Sequence, residues 1–211
     1  MKQYPSIPAG IGTQFGTQFF EFEAHCWEKL DGKNLRMKWT RKKGFCQFGS
    51  RHRLFDQTDP EFGPSIPIFQ TTIAEPLAKI LTDARLQEAI LFGELWGDKS
   101  FAGFFEPGDP LRVSLFDACW DKKGFLSPQD FRRAFEGKVP TPAYLGLHHW
   151  TRGFVEQVFR GEIEGTSFEG VVGKTKAKGG ELLMAKAKTR GWLEAVKARF
   201  DSSKAEELIN S

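Results

Sequence analysis

The chain has 211 residues, 27% of them charged, with a net charge of +3 and no apolar run near the ~18 residues of a membrane-spanning helix. This length favours a single domain over residues 1–211, and the charge is too small to imply nucleic-acid binding by itself. The N-terminus lacks a signal-peptide pattern and the three cysteines lack C-x-x-C spacing, so we expect a cytoplasmic, monomeric protein with no membrane partner.

Two strands are predicted on either side of Lys29-Leu30-Asp31-Gly32. Apolar and polar residues alternate over Phe20–Glu23 and again over Asn34–Trp39, and Asp-Gly is a typical turn pair. Residues 40–70 are rich in Arg, Gly, Pro and Phe with weak periodicity, which predicts a long ordered loop or irregular strands.

A helix and two buried strands are predicted next. Thr72 has the position of a helix cap, with Glu75 as its capping-box partner, and the helix runs to Ala84. The aromatic and apolar runs Ala89–Trp96 and Leu111–Phe116 have strand length and are bounded by Gly, Asp and Pro.

Two capped helices follow in the second half of the chain. Ser127, before Pro128, opens a helix over Phe131–Phe135. Thr151 opens another helix, which ends at Gly161.

The last part of the chain predicts a hairpin and a helix. Ser167–Lys174 and Glu181–Lys188 have strand character and are joined through Lys178-Gly179-Gly180, and a C-terminal helix is expected over about 190–208. Basic residues dominate from Lys174 to Arg199, which suits contact with polyphosphate but equally a solvated face.

The segment Lys29–Arg36 reads K-x-D-G-x-x-x-R. Alone, it fits an ordinary charged hairpin. Further segments follow in order: Gly49-Ser50-Arg51, Phe92-Gly93-Glu94, Leu115-Phe116-Asp117, Glu169-Gly170 to Lys174, and Lys186-Ala187-Lys188. Such an ordered set is hard to obtain by chance.

This set resembles the covalent nucleotidyltransferase superfamily of DNA ligases, RNA ligases and mRNA capping enzymes. The opening Tyr4-Pro5-Ser6-Ile7 and the lead-in Trp27-Glu28-Lys29 are similar to the ATP-dependent RNA ligase branch. The resemblance implies an α+β fold with mainly antiparallel sheets and flanking helices, the nucleotidyltransferase (ATP-grasp-like ligase) catalytic domain. Because only about two dozen residues follow Lys188, we expect no oligonucleotide-binding (OB) domain.

The resemblance makes Lys29 the nucleophile, and a lysine must be neutral to attack phosphorus. With a pKa of ~10.4, about 0.04% of lysine is neutral at pH 7, and lowering that pKa by two to three units costs the ammonium form roughly 3 to 4 kcal/mol. Lys186 and Lys188 alternate along a strand and so share a face, which lets them project beside Lys29, lower its pKa and hold the triphosphate. A solvated strand face is the competing interpretation.

Glu94 and Glu169 are predicted inside apolar strands, where an ionised carboxylate is costly unless it is paired or bound to metal. The resemblance implies that Glu94 serves the ribose or a metal-bound water and that Glu169 holds Mg²⁺ or Mn²⁺. It also implies that Asp31 orients Lys29 or binds a metal-coordinated water. Salt-bridged strand ends are the alternative.

The resemblance also implies the remaining contacts with the nucleotide. Glu28 is expected near the base, Arg36 and Arg51 near the ribose and phosphates, and Phe116 stacked on adenine, although the core is a competing place for one of 21 phenylalanines. The predicted ATP contacts are Glu28, Asp31, Gly32, Arg36, Arg51, Glu94, Phe116, Lys174, Lys186 and Lys188.

The resemblance thus implies an ATP-dependent RNA ligase. Lys29 would take AMP from ATP, pass it to a 5′-phosphate end, and a 3′-hydroxyl would displace AMP to seal RNA ends, including those of a nicked duplex. Two alternatives remain: a DNA ligase or capping-type guanylyltransferase built on the same core, and a nucleic-acid-binding module with a relic active site. RNA repair is a family-level expectation, and a phage or bacterial origin is expected from the compactness of the chain.

Overall fold

The computed structural model describes residues 1–7, 21–98, 101–105, 108–121, 123–177 and 179–210. In chain order its elements are β1 (Phe22–Lys29), β2 (Gly32–Thr40), β3 (Gly44–Gly49), β4 (Leu54–Phe55), α1 (Ser65–Thr72), α2 (Ala74–Asp83), β5 (Glu88–Trp96), β6 (Arg112–Trp120), β7 (Gly124–Phe125), α3 (Pro128–Phe135), β8 (Tyr144–Trp150), α4 (Arg152–Arg160), β9 (Gly170–Lys176), β10 (Leu182–Lys188), α5 (Arg190–Arg199) and α6 (Ser202–Asn210). No helix of these ranges is long and apolar enough to cross a membrane.

The chain divides into two compact units, residues 1–4 with 31–141 and residues 5–30 with 142–211. Each unit contains one sheet, and the strand pairs of both sheets are antiparallel. The predicted α+β fold with antiparallel sheets and flanking helices is therefore confirmed, and the described ranges contain no OB barrel. One domain over residues 1–211 stays a prediction.

The first unit is built on a six-stranded sheet of order β4-β3-β2-β5-β6-β7. Its central strand β2 buries Leu35, Met37 and Trp39 at alternate positions, as the period of a strand requires. On α2, Leu77 and Leu81 lie one turn apart and are fully buried. Both strands predicted around Lys29-Leu30-Asp31-Gly32 are present, although Phe20 lies outside the described residues.

The second unit is built on a four-stranded sheet of order β10-β9-β1-β8. Its core contains Ala24 and Cys26 of β1, Val171 of β9 and the fully buried Val158 of α4. The apolar face of α4 thus helps to cover the core of this sheet.

Because the Cys26 thiol is buried, the free energy of unfolding should fall as the solution becomes alkaline. Burial raises its pKa from 9.0 to about 12. Between those values the unfolded chain loses this proton and the folded chain keeps it, so each rising pH unit removes up to about 1.4 kcal/mol of the unfolding free energy. Denaturant unfolding between pH 8 and 11 should show this decline, and it should be shallower in Cys26→Ala. Equal slopes would contradict the assignment.

Local capping chemistry explains why α3 and α4 lie where the sequence predicts them. The Ser127 hydroxyl accepts from the Asp130 N–H at 3.1 Å, and the Thr151 hydroxyl accepts from the Phe154 N–H at 3.1 Å. Gly161 ends α4 in the left-handed conformation with φ 72°.

The prediction of a Thr72 cap is wrong, because Thr72 is the last residue of α1. Its hydroxyl donates to the Ile68 carbonyl at 2.6 Å, and α2 begins after Ile73 without a side-chain cap. The region 40–70, predicted as loop or irregular strands, contains β3, β4 and the start of α1. Pro67 is tolerated because it lies in the first turn of α1.

The helix predicted over about 190–208 is two helices, α5 and α6. Phe200 between them is extended, with φ −118° and ψ 154°. The Asp201 carboxylate accepts from the Lys204 N–H at 3.0 Å and so opens a new helix. The sequence also missed strand β8, and strand β9 begins at Gly170, three residues later than predicted.

Candidate active site

The register of the second sheet aligns the predicted lysine motifs. Gly170, the first residue of β9, pairs with Lys29 at the end of β1 and with Lys188 at the end of β10. Lys29 and Lys188 therefore flank the start of β9, although 159 positions separate them in the sequence. Two residues earlier on β10, Lys186 pairs with Val172.

Glu169, immediately before β9, holds both lysines. One of its oxygens, Oε1, lies 2.8 Å from Lys29 Nζ and 3.4 Å from Lys188 Nζ. The carboxylate is 1% exposed, while the Lys29 side chain is 19% exposed. A buried carboxylate with two cationic neighbours is a charge-balanced arrangement, and Lys29 keeps access to solvent.

Backbone contacts fix Glu169 in this position. The Thr189 N–H donates to the Glu169 carbonyl at 2.9 Å, and the Thr189 hydroxyl donates to the Phe168 carbonyl at 2.5 Å. On the other side, the Ser167 hydroxyl donates to the Lys29 carbonyl. The segment before β9 is thereby tied to both flanking strands.

Gly170 is required by close packing and by its backbone conformation. Its φ is +147°, and a Cβ there would lie 2.0 Å from the Ala187 carbonyl oxygen. No L side chain fits without moving β10.

Gly170→Ala should therefore destabilise the second unit by several kcal/mol and displace Glu169. Gly179→Ala is the matched control, since a Cβ at Gly179 meets nothing within 4 Å. Denaturant unfolding monitored by circular dichroism measures both. Equal stability of the two variants would contradict the packing argument.

The other predicted residues of the second unit also make contacts within it. Lys186 is 1% exposed and Lys188 is 8% exposed; the Lys188 ammonium lies 4.1 Å from the ring centroid of Trp192 on α5. Lys174 is buried with its ammonium 5.7 Å from the Trp27 ring centroid. Glu28 accepts from the Ala143 N–H at 2.8 Å.

Two predicted residues of the first unit, Arg36 and Glu94, lie on one face of the six-stranded sheet. Asn34 of β2 pairs with Glu94 of β5, and Arg36 pairs with Phe92. Directly opposed residues point to the same face, and so do residues two apart. Asn34, Arg36 and Glu94 therefore share a face.

A β-bulge adds Phe116 and Asp117 to the contacts of Tyr4. Phe92 pairs with Asp117 but Gly93 pairs with Leu115, so Phe116 is the extra residue. The Tyr4 hydroxyl donates to Asp117 Oδ2 at 2.8 Å, and the Tyr4 ring meets Phe116 edge-on at 4.9 Å. Burial, then the charge of Asp117, hold the pKa of Tyr4 well above its usual range.

Arg36 is occupied by backbone carbonyls. The Arg36 side chain is buried, with 3% exposure. Its Nε donates to the Ser50 carbonyl at 2.6 Å, and its Nη1 donates to the Met1 carbonyl at 3.0 Å. Burial lowers its pKa. Arg51 lies half-buried in the loop between β3 and β4.

Asp31 and Gly32 hold the turn that follows Lys29. The Asp31 carboxylate is buried and accepts from the N–H of Ala102 at 3.3 Å and of Phe104 at 3.5 Å. A Cβ at Gly32 would lie 2.4 Å from the backbone carbonyl oxygen of Leu95, so only glycine permits this approach.

Glu169 suits a divalent cation of the Mg²⁺ type. Neither of its oxygens accepts a hydrogen bond of good geometry within the described residues, so acceptor capacity remains. Mg²⁺ is commonly held by one or two carboxylates, several waters and substrate phosphates. The described ranges contain no group of three or more His, Cys, Asp or Glu side chains that could hold a metal ion.

Sequence reasoning did not assign roles to Asn34 or Asp117. Asn34 Oδ1 is buried and has no hydrogen-bond partner in the part of the chain that the structure describes. Asp117 is 2% exposed and lies between the apolar residues Phe116 and Ala118 of β6. A carboxylate between apolar residues, the pattern that also singled out Glu94, is the only sequence signal for Asp117, and the alternating strand β2 offers none for Asn34.

A family model described as RNA ligase matches residues 23–188 of the chain. The chain belongs to the RNA ligase family. The matched range begins in β1 and ends at Lys188, so it contains every predicted site residue. No curated protein matches the sequence at the significance threshold.

Solved structures of RNA ligases share the fold. An archaeal ATP-dependent RNA ligase is 17% identical with a TM-score of 0.66, covering 100% of this chain and 56% of its own. A mutant RNA ligase of Naegleria gruberi with AMP and Mn is 16% identical, TM-score 0.66, covering 92% and 57% respectively; the N. gruberi RNA ligase with PPi is 19% identical, TM-score 0.61, covering 84% and 52%. This RNA ligase family member thus spans about half the length of the structures it matches.

Proposed function

We propose that the chain is an ATP-dependent RNA ligase that joins 5′-phosphate and 3′-hydroxyl ends through an adenylyl-lysine on Lys29. The observation that carries this proposal is the meeting of Lys29, Glu169 and Lys188 at adjacent strand ends in a member of the RNA ligase family. The relatives named with ATP, AMP, PPi and Mn support ATP as substrate and Mg²⁺ or Mn²⁺ as the metal.

In the first step, the neutral Lys29 amine attacks the α-phosphorus of ATP. The N–P bond forms as the bond from the α-phosphorus to the bridging oxygen breaks, pyrophosphate leaves, and the proton of the amine passes to solvent. A divalent cation held by Glu169 and the phosphates would offset the charge of that carboxylate and of the leaving group. Glu169 orients Lys29, while Lys186 and Lys188 supply positive charge for the polyphosphate.

The later steps move AMP from Lys29 to a 5′-phosphate end and then release it when a 3′-hydroxyl attacks that end. Arg36, Arg51, Glu94 and Phe116 are proposed to serve the nucleotide, as the resemblance implies. Glu28, Asp31, Gly32 and Lys174 complete that set. We further propose a cytoplasmic location, which the three free thiols support, and a monomeric state.

The test begins with intact-mass measurement after incubation with magnesium and either ATP or GTP. We expect an adduct of one AMP with ATP and none with GTP. A GMP adduct would favour the guanylyltransferase alternative, and no adduct with either nucleotide would favour the relic binding module.

Strand specificity is tested next with nicked duplexes that carry a 5′-phosphate and a 3′-hydroxyl. Sealing of an RNA nick with little sealing of the matched DNA nick is expected from the RNA ligase family. The reverse preference would assign the DNA ligase alternative.

A further inference from the structure

The last turn of α6 lies against the two lysines of β10. Lys188 Nζ donates to the Leu208 carbonyl at 3.0 Å, and Lys186 Nζ donates to the Asn210 carbonyl at 3.5 Å. Both acceptors are backbone carbonyls in the last described turn of α6. The helix end therefore satisfies its own carbonyls with these ammonium groups.

The ammonium groups of Lys186 and Lys188 donate to carbonyl oxygens of α6. The same N–H groups can donate to phosphate oxygens instead. A carbonyl oxygen carries only partial negative charge, whereas a polyphosphate oxygen is anionic and is the stronger acceptor for an ammonium group.

We propose that the last turn of α6 is a displaceable cover over Lys186 and Lys188, so that docking of α6 and binding of polyphosphate exclude each other. This inference rests on the proposed function for the identity of the ligand. Lys186 is 1% exposed and Lys188 8% exposed, so phosphate oxygens reach these ammonium groups only after covering atoms move.

The construction of α6 suits such movement. It has nine residues, with Ala205 and Leu208 as its buried positions, and it follows the extended residue Phe200. Isolated helices shorter than about 12 residues are marginal in water, so docking maintains α6. By contrast, α5 is anchored by the fully buried Trp192 and Val196. Movement is therefore expected at Phe200 and Asp201, with α5 left in place.

Docking of α6 and binding of polyphosphate are thermodynamically linked. Where two events compete for the same groups, each weakens the other by the same factor. Loosening α6 should tighten polyphosphate binding, and polyphosphate should release α6.

The experiment compares Glu206→Pro with Glu206→Ala in the full chain. Glu206 is exposed, so both changes spare the buried contacts, but only proline interrupts the helix. Acetylation of Lys186 and Lys188 by an amine-reactive ester, read by peptide mass spectrometry, should be about tenfold faster in the proline variant because local opening is easier. Tripolyphosphate binding, measured by calorimetry, should tighten several-fold.

Unchanged lysine reactivity, or weaker tripolyphosphate binding in the proline variant, would overturn the proposal and make α6 a support that positions the lysines. If Glu206→Pro fails to fold, Leu208→Ala loosens the same contact while leaving the backbone carbonyls in place. Failure of the proposed function is a separate result: it removes the AMP adduct in every variant and leaves the acetylation and tripolyphosphate readouts intact.

Discussion

Lys29→Ala is expected to abolish the covalent AMP adduct completely and with it the sealing of RNA ends. The Lys29 amine is the nucleophile in this proposal, and an alanine methyl group cannot attack phosphorus. Intact mass after incubation with ATP and magnesium measures the adduct. Lys33→Ala is the matched control, since Lys33 lies four residues away on β2 and pairs with Glu61; it should keep the adduct.

The variant Lys29→Arg separates the nucleophilic role of Lys29 from the effect of its positive charge. Arginine stays protonated in proteins, so it can preserve an ion pair with Glu169 without attacking ATP. We expect stability near that of the unmodified chain and no adduct. An AMP adduct on any Lys29 variant would place the nucleophile elsewhere and refute the assignment.

Glu169→Gln is expected to slow adenylation by about 100-fold or more, a barrier increase of about 3 kcal/mol. The amide is similar in size to the carboxylate but lacks its charge, so it neither balances Lys29 and Lys188 nor attracts a divalent cation. The magnesium concentration for half-maximal labelling should rise as well. Glu164→Gln, at an exposed position before β9, is the control and should behave like the unmodified chain.

The same variant should lose stability, because it removes the Glu169 charge that lies 3.4 Å from the buried ammonium of Lys188. Removing one member of a buried ion pair typically costs about 3–5 kcal/mol of the unfolding free energy. A loss of stability with unchanged labelling and unchanged magnesium dependence would reduce Glu169 to a structural ion pair. That result would leave the Lys29 assignment standing.

Much of the fold was predictable because its signals are local. Ser127 and Thr151 cap helices through atoms three residues away, and Gly161 ends α4 through its own backbone freedom. The same reasoning gives a wrong prediction at Thr72, because the Thr72 hydroxyl donates to a carbonyl of the preceding turn. The sequence pattern does not distinguish a cap from the last residue of an earlier helix.

The candidate site was predictable as a set of residues but not as a set of contacts. Lys29, Glu169, Lys186 and Lys188 are singled out by motif order, and the antiparallel register between β1, β9 and β10 brings three of them together. Asn34 passed unassigned because nothing in the sequence distinguishes a buried acceptor without a partner from a solvated one. Asp117 passed unassigned because its hydrogen bond from Tyr4 joins residues that are distant in the sequence.

The sequence by itself determined the family and much of the alternation of helices and strands, and it singled out Lys29 as the proposed nucleophile, because ordered motifs, periodicity and capping act over short ranges. The tertiary structure alone decided that one carboxylate oxygen serves two lysines, that a bulge turns both Phe116 and Asp117 toward Tyr4, and that the end of α6 lies on Lys186 and Lys188. These arrangements depend on strand register and on the packing of distant segments. Those are fixed by the free energy of the whole fold, which no local pattern encodes.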